Sequence, residues 1–474
     1  MENMLEKVKY KGFIWPIVIG LIIWFTAGVR PAGVSVEAWH MLALFVATII
    51  GCITQPLSIA GVTLIGFTLT VGTGLADMKT SLSAFSNSAA WLIAMAFMLS
   101  RGVIKTGLGR RIALYFVRLF GKRTLGLAYS IMGIDLVTSP AIPSNTARAG
   151  GVVYPIIESL ARTFGSKTED GTQRKMGAYL VFTEFHANLL TSALFMTAMA
   201  PNLVTAQLAG KLHVNLTWMG WFIAASVPVA ICLAVVPWII YKMYPPEIKE
   251  TPNAKTWANK ELADMGKMKL SEKIMGSVFI LTLVLWMLSS IIGMDATFVA
   301  FLAISILLVT GVLSVNDLLH ETGAWNVLIW LSVLVFMAGK LTEFGFIKWM
   351  SASIASGLHG VSWVVMLAVL AIVLFYSHYL FASATAHVSA MYAPFLAVAI
   401  SAGAPAQMSA MLLAMITAVM ASTTHYANGP ASVLAGSGYV KQGDWWKMNF
   451  VLGIFYLLVI GIIGPLWMKV IGLW

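Results

Sequence analysis

Three small polar residues, Ser144, Asn145 and Thr146, interrupt a long apolar run in the stretch PAIPSNTARAGG. Two hydroxyls and an amide can donate to or accept from a bound ligand. A helix that restarts beside them aims N–H groups and the positive end of its dipole at the same point. Such a point suits a small anion and needs few buried charges. The same pattern recurs 239 residues later, where Ser383, Ala384 and Thr385 replace Ser144, Asn145 and Thr146, and His387 stands in the place of Arg148. At that offset WLIAMAFMLS (91–100) also aligns with WLSVLVFMAG (330–339). Two further interruptions, Ala200–Pro201–Asn202 and Ala427–Asn428–Gly429–Pro430, also fall inside apolar runs. Irregular backbone at membrane depth persists only where it is buried in protein or lines a wet cavity. Ser144, Asn145, Thr146, Ser383, Ala384, Thr385, Pro201, Asn202, Gly429 and Pro430 are therefore the candidate substrate contacts. Two tips that meet near the midplane would suit a dicarboxylate, one carboxylate at each tip.

The ionisable residues nearest these points are Arg148, His387 and His425, the last beside Asn428. Each has two readings: it satisfies backbone carbonyls, or it supplies positive charge to an anion. Asp135, Glu184 and His186 also lie within apolar runs, where ionisable residues are functional candidates by default. Glu184 and His186 are close enough to Arg174 and Lys175 to be expected at the interface. The eight histidines are scattered without a metal-ligand spacing, so neither a metal nor another cofactor is expected. Cys52 and Cys232 lie far apart in apolar segments and read as small apolar fillers.

These residues must be positioned by helices in a membrane. The chain is 59% hydrophobic and 10% charged over 474 residues, whereas soluble domains carry about 25% charged residues. The deficit is spread along the whole length, which indicates an all-α polytopic membrane protein. The net charge of +11 is read as Lys and Arg in cytoplasmic loops that orient the helices, not as a nucleic-acid surface. The first apolar segment has no small-residue cleavage site after MENMLEKVKYKGF and is read as a retained helix. Basic clusters flank the run 125–163 on both sides, and six lysines lie in the polar stretch 245–273. Making 125–163 a re-entrant hairpin puts these clusters on one face. A second hairpin over 361–402 then places Lys441 and Lys447 there too. The expectation is eleven spanning helices plus two re-entrant hairpins, with a cytoplasmic N-terminus in a cell membrane.

Five spans and a hairpin per half make an inverted repeat, a recurring transporter architecture. The expected division is an N-terminal helix over 1–36, repeat 1 over 37–244, a cytoplasmic linker over 245–272 and repeat 2 over 273–474. Within the repeats, the hairpins are 124–163 and 361–402, the broken helices 177–212 and 407–438, and the last helices 216–244 and 448–473. The stretches 109–121 and 346–360 are amphipathic and are expected to lie along the membrane surface before each hairpin.

With these residues in view, the chain resembles the divalent anion/sodium symporter family over essentially its whole length. The resemblance rests on Ser144–Asn145–Thr146, on its repeat copy Ser383–Ala384–Thr385 and on the paired helix breaks. GYVKQGDWWKMNF (438–450) is similar to the segment before the last helix of the citrate/succinate and 2-oxoglutarate/malate exchanger branch. The resemblance implies a homodimer with scaffold and transport domains working as an elevator. It also implies C4–C6 di- and tricarboxylate substrates, and a sodium ion held by each tip with its facing break. Here the sequence departs, with Ala384 in place of the second amide and Pro140 and Tyr379 one turn before the tips. These changes remove oxygen ligands and leave at most a residual sodium site near Asn145. The expectation is sodium-independent antiport of C4–C5 dicarboxylates (malate, succinate, fumarate, 2-oxoglutarate). The alternative is a sodium- or proton-coupled symporter. An intramembrane enzyme and a channel are further alternatives, the first disfavoured by the absent metal spacing and the second by the inverted hairpins.

Overall fold

The computed structural model describes residues 8–140, 142–357 and 361–474. Among them every regular element is a helix, and one isolated bridge joins Arg123 and Glu250. In chain order come α1 (Ile14–Phe25), α2 (Val36–Thr54), α3 (Ile59–Gly72), the short α4 (Met78–Leu82), α5 (Ser88–Thr106) and α6 (Leu108–Phe120). Next are α7 (Thr124–Thr138), α8 (Tyr154–Thr163), α9 (Gly177–Leu194), α10 (Ala200–Lys211), α11 (Trp218–Met243) and α12 (Ala254–Met265). The second half holds α13 (Leu270–Ile292), α14 (Ala296–Val309), α15 (Val315–Leu319), α16 (Thr322–Glu343), α17 (Phe346–Gly357), α18 (Trp363–Tyr376) and α19 (Ala384–Ser401). It ends with α20 (Ala406–Val419), α21 (Gly429–Gly436), α22 (Gln442–Leu458) and α23 (Gly464–Val470). Serine or threonine at the N-cap starts several of these, with Ser35, Ser58, Thr217 and Ser362 each accepting a first-turn N–H.

Eight described stretches are helical, long and apolar enough to cross a membrane, two of them (Trp363–Leu380 and Ala384–Ser401) in the segment expected to form the second hairpin, and a bent pair over 78–106 makes a ninth. The core of the molecule is the pair α9 and α20. Every residue of α9 is buried, as is every residue of α20 from Met408 to Val419. A helix that is apolar all round belongs inside, and these two pack against each other. The sequence places 109–121 and 346–360 on amphipathic helices, and α6 and α17 are helices there; residues 358–360 lie outside the described part. Cys52 and Cys232 are free and buried.

One pentapeptide, residues 247–251, ties the start of α7 to the turn before α9. Backbone N–H groups of Glu247 and Ile248 donate to the carbonyls of Arg174 and Lys175 at 3.1 and 2.9 Å. Thr124 N–H donates to Lys249 O at 3.0 Å, and Thr251 N–H to Lys122 O at 2.9 Å. The Thr251 and Thr124 hydroxyls add bonds to Gly121 O and Ile248 O. The start of the apolar run 125–163 and the residues just before α9 thus rest on the same pentapeptide, 247–251. The following α12 packs on α6, where Arg110 pairs with Glu261 at 2.6 Å, and the buried Arg111 of α6 pairs with Glu272 of α13 at 2.5 Å.

Candidate functional site at two helix tips and two helix breaks

The first tip lies between α7 and α8. Residues 142–144 are irregular, the helix resumes at Asn145 and Thr146, and it continues as a π-helical turn over Ala147–Val153 that runs into α8. Ser144 Oγ accepts the Ala147 N–H at 3.2 Å. At the second tip Ser383 Oγ accepts the Ala386 N–H at 3.3 Å and starts α19. The two serines therefore make the same helix cap in both repeats, a role the residue types allow but the sequence reading gave to ligand binding. Ser144, Asn145, Thr146, Ser383 and Thr385 remain partly exposed, while Ala384 is buried.

The expected breaks are real but shifted. α9 ends at Leu194, a 3-10 turn covers Met196–Ala198, and Ala200–Pro201–Asn202 already form the first turn of α10. Likewise α20 ends at Val419, and Gly429 and Pro430 open α21. Proline tolerates a helix's first turn because the N–H it lacks would have no partner there. It therefore marks the restart of each helix and not the gap before it. Asn428 caps α21 by accepting the Ala431 N–H at 2.9 Å. The buried Asn202 instead braces the gap, donating to Ser192 O at 2.6 Å and Phe195 O at 3.0 Å.

Tips and breaks meet across the repeats. A Cβ on Gly429 would lie 2.0 Å from Thr146 Oγ1, so only glycine admits Thr146 at this point. One turn on, Gly150 packs against Val433, and the π-helical turn runs beside α21. In the mirrored arrangement α19 runs beside α10. The first tip meets the second break at Thr146 and Gly429, and α19 lies against α10.

Behind the tips sit the charged candidates. Arg148 is fully buried. Its Nε donates to Asp135 at 3.1 Å, Nη1 to Ile142 O at 2.6 Å and to Ala198 O at 2.5 Å, and Nη2 to Ser192 Oγ at 2.9 Å. Asp135 also accepts from Asn188 at 3.2 Å and from the Thr191 hydroxyl, so its charge is well served. Of the two readings of Arg148, the bonds to carbonyls are the one on view. His387 is buried in the second repeat, stacked on Phe381, with Nδ1 2.8 Å from Nδ1 of His378. His378 Nε2 lies 3.1 Å from Ala427 O, an atom that can only accept. For two neutral imidazoles this fixes the tautomers: His378 Nε2 carries a hydrogen, its Nδ1 accepts from His387, and His387 Nε2 accepts from the Ser377 hydroxyl at 3.0 Å. His425 is partly exposed and accepts from the Trp446 indole at 3.1 Å.

His378 escaped sequence reasoning. Its signal was a third polar residue one turn before the second tip, opposite Ser139 in the repeat alignment. Glu184 and His186 are both fully buried within the protein, because α9 is enclosed on all sides. His186 bonds Tyr456 at 2.8 Å, and neither Glu184 oxygen has a partner. Among the described residues no group of three or more His, Cys, Asp or Glu is placed to hold a metal.

Comparison with known proteins fits this arrangement. The family profile described as the sodium:sulfate symporter transmembrane region matches residues 7–474. YflS of Bacillus subtilis (strain 168), a provisionally named malate transporter, is 49% identical over 470 residues, 99% of this chain and 98% of its own. Dicarboxylate transporter 1 of spinach (Spinacia oleracea) chloroplasts is 43% identical over 99% of this chain and 83% of its own. The citrate/succinate antiporter of Escherichia coli (strain K12) is 35% identical over 96% of this chain and 98% of its own. The crystal structure of the Alcanivorax borkumensis YdaH transporter shares the fold at TM-score 0.55 and 11% identity, covering 97% of this chain and 98% of that one. Neisseria gonorrhoeae MtrF does so at 0.57 and 13%, covering 98% and 96%.

Proposed function

The chain belongs to the sodium:sulfate symporter transmembrane-region family, the divalent anion/sodium symporters, and from that membership we propose that it exchanges C4–C5 dicarboxylates across the membrane without sodium. It is a multi-pass membrane transporter and not an enzyme. The relatives named for malate, dicarboxylate and citrate/succinate transport support the substrate class. Four helix starts at the tips and breaks favour anionic groups there.

The observation that carries antiport is where the nitrogen donors sit. In the sodium-coupled pattern, oxygens of a tip and its facing break would hold a cation. Here Arg148 donates to the tip carbonyl of Ile142 and to the break carbonyl of Ala198. In the second repeat His378 occupies the break carbonyl of Ala427 and is itself bonded to His387. Carbonyls engaged by N–H donors are poor partners for a sodium ion, which takes several oxygens. Arg148 is balanced by Asp135 and both nitrogens of the neutral His387 are engaged, so of the three cationic candidates compensation of the substrate's second charge falls to the partly exposed His425. Ser144, Asn145, Thr146, Ser383 and Thr385 are the proposed substrate contacts, with the starts of α10 (Pro201, Asn202) and α21 (Gly429, Pro430) behind them.

The helix order supports eleven crossings: α1, α2, α3, α5, α9–α10, α11, α13, α14, α16, α20–α21 and α22–α23. α7–α8 and α18–α19 are the re-entrant hairpins. The shared seat of Lys122, Thr124, Arg174 and Lys175 on residues 247–251 supports a first hairpin that returns to the face it left. We place that face and the N-terminus in the cytoplasm of a cell and read the protein as a homodimeric elevator. Repeat 1 spans 37–244 and repeat 2 spans 273–474.

Proteoliposomes loaded with succinate or malate should take up labelled dicarboxylate at the same rate in sodium and in choline. Empty vesicles should take up little. Uptake into empty vesicles driven by a sodium gradient would overturn antiport and favour the symport reading. One observation speaks for that second reading: the hydroxyls of Ser422, Thr423 and Thr424 are buried beside the second break with no partner, and such oxygens could serve a cation.

A further inference from the structure

Away from the tips, a polar pocket of about 330 Å³ opens where the C-terminal end of α10 meets α16 and the turn before α5. Lys211 enters it from α10, Ser332, Lys340 and Glu343 from α16, and Ser83 and Asn87 from the turn. The volume lies within the range of small-molecule sites. Lys340 bonds Glu343 at 2.9 Å, the one carboxylate in the lining. Lys211 Nζ lies 3.6 Å from where a Cβ on Gly339 would stand, so the bare backbone of α16 lets the ammonium rest against it. Two ammonium groups against one carboxylate leave the pocket net positive. Ser332 is 1% exposed and its hydroxyl has no partner, although it lines this space. A buried hydroxyl without a partner is costly unless a ligand or water meets it.

We propose that this pocket is a second carboxylate site, distinct from the tips, which takes a small dicarboxylate between Lys211 and Lys340. Lys211 ends the helix that starts at Pro201 and Asn202, so one helix of roughly 18 Å joins this site to the first break. Gln207, one turn earlier, donates to Asn87 at 2.6 Å across the same boundary. A dianion here holds α10 against α16 from the far end. This last consequence rests on the transport reading; the binding itself does not.

The test is lysine acetylation of the purified full-length protein, quantified residue by residue by mass spectrometry. Succinate is compared with chloride at matched ionic strength. The proposal expects succinate to slow labelling of Lys211 and Lys340 several-fold while the exposed Lys105 is unaffected. The protection should survive in a Ser144→Ala/Thr385→Val double variant, whose tips are impaired. Equal labelling with and without succinate would mean that the two lysines only offset the C-terminal dipoles of α10 and α16, and would overturn the site. Protection that disappears in the tip variant would overturn it too, since the effect would then come from the tips. Lys211→Gln should remove one of two succinate equivalents bound in calorimetry; a stoichiometry unchanged by it counts against the site. Lost counterflow with intact Lys211 protection would sink the exchange reading and leave this one standing.

Discussion

At the scale of residues, the buried pair Arg148–Asp135 and the bare Gly429 make the sharpest predictions. Arg148→Met leaves Asp135 enclosed without its cation, which typically costs about 3–5 kcal/mol. Thermal unfolding in detergent should show that loss, and Asp135→Asn/Arg148→Met should recover much of it. A single variant as stable as the wild type would remove Arg148 as the brace of the first tip. Gly429→Ala puts a methyl group into Thr146 Oγ1. Exchange should fall at least tenfold while the protein still purifies as a folded species, and unchanged counterflow would show that the tip can retreat. The hydroxyl tips were legible because the sequence repeats them at a fixed offset. The Arg148–Asp135 pair was not, because a spacing of 13 residues has no meaning on a single helix. It becomes a contact only when the hairpin folds back. His378 was hidden for the same reason, since its partner Ala427 lies 49 residues on.

At the scale of elements, most helices follow from apolar length and from caps such as Ser35, Ser58 and Ser362. The breaks were displaced because Pro201 and Pro430 read as disruption when they stand at helix starts. The π-helical turn over Ala147–Val153 had no periodic signal, and its Gly150 is explained only by Val433 of the other repeat. The seat of the first hairpin on residues 247–251 was equally invisible, since it joins backbone groups whose bonding does not depend on side-chain type. Thr251→Val should therefore leave secondary structure intact, cost about 1 kcal/mol through the lost bond to Gly121 O, and speed proteolytic nicking of the linker. Nicking at the wild-type rate would argue that the seat contributes nothing to order there.

At the scale of the whole molecule, the proposed exchange would move the broken helices against their surroundings. Cysteines at Asn87 and Gln207, bridged by mercuric ion, should arrest counterflow, with recovery on adding thiol. Cys52 and Cys232 are buried and give little background. Full counterflow in the bridged protein would mean that this boundary does not slide. The crossed pairing of tips and breaks also has a consequence for synthesis. Thr146 leaves the ribosome about 280 residues before Gly429, a delay of roughly 15 to 60 seconds at ordinary elongation rates. During that interval the first tip has no partner from the second half. Every bond of Arg148 is to a residue made by position 198: Asp135, Ile142, Ser192 and Ala198. The nascent first half can thus bury its guanidinium by itself while it waits in the translocon, and only the uncharged face of the tip stays open until its counterpart arrives.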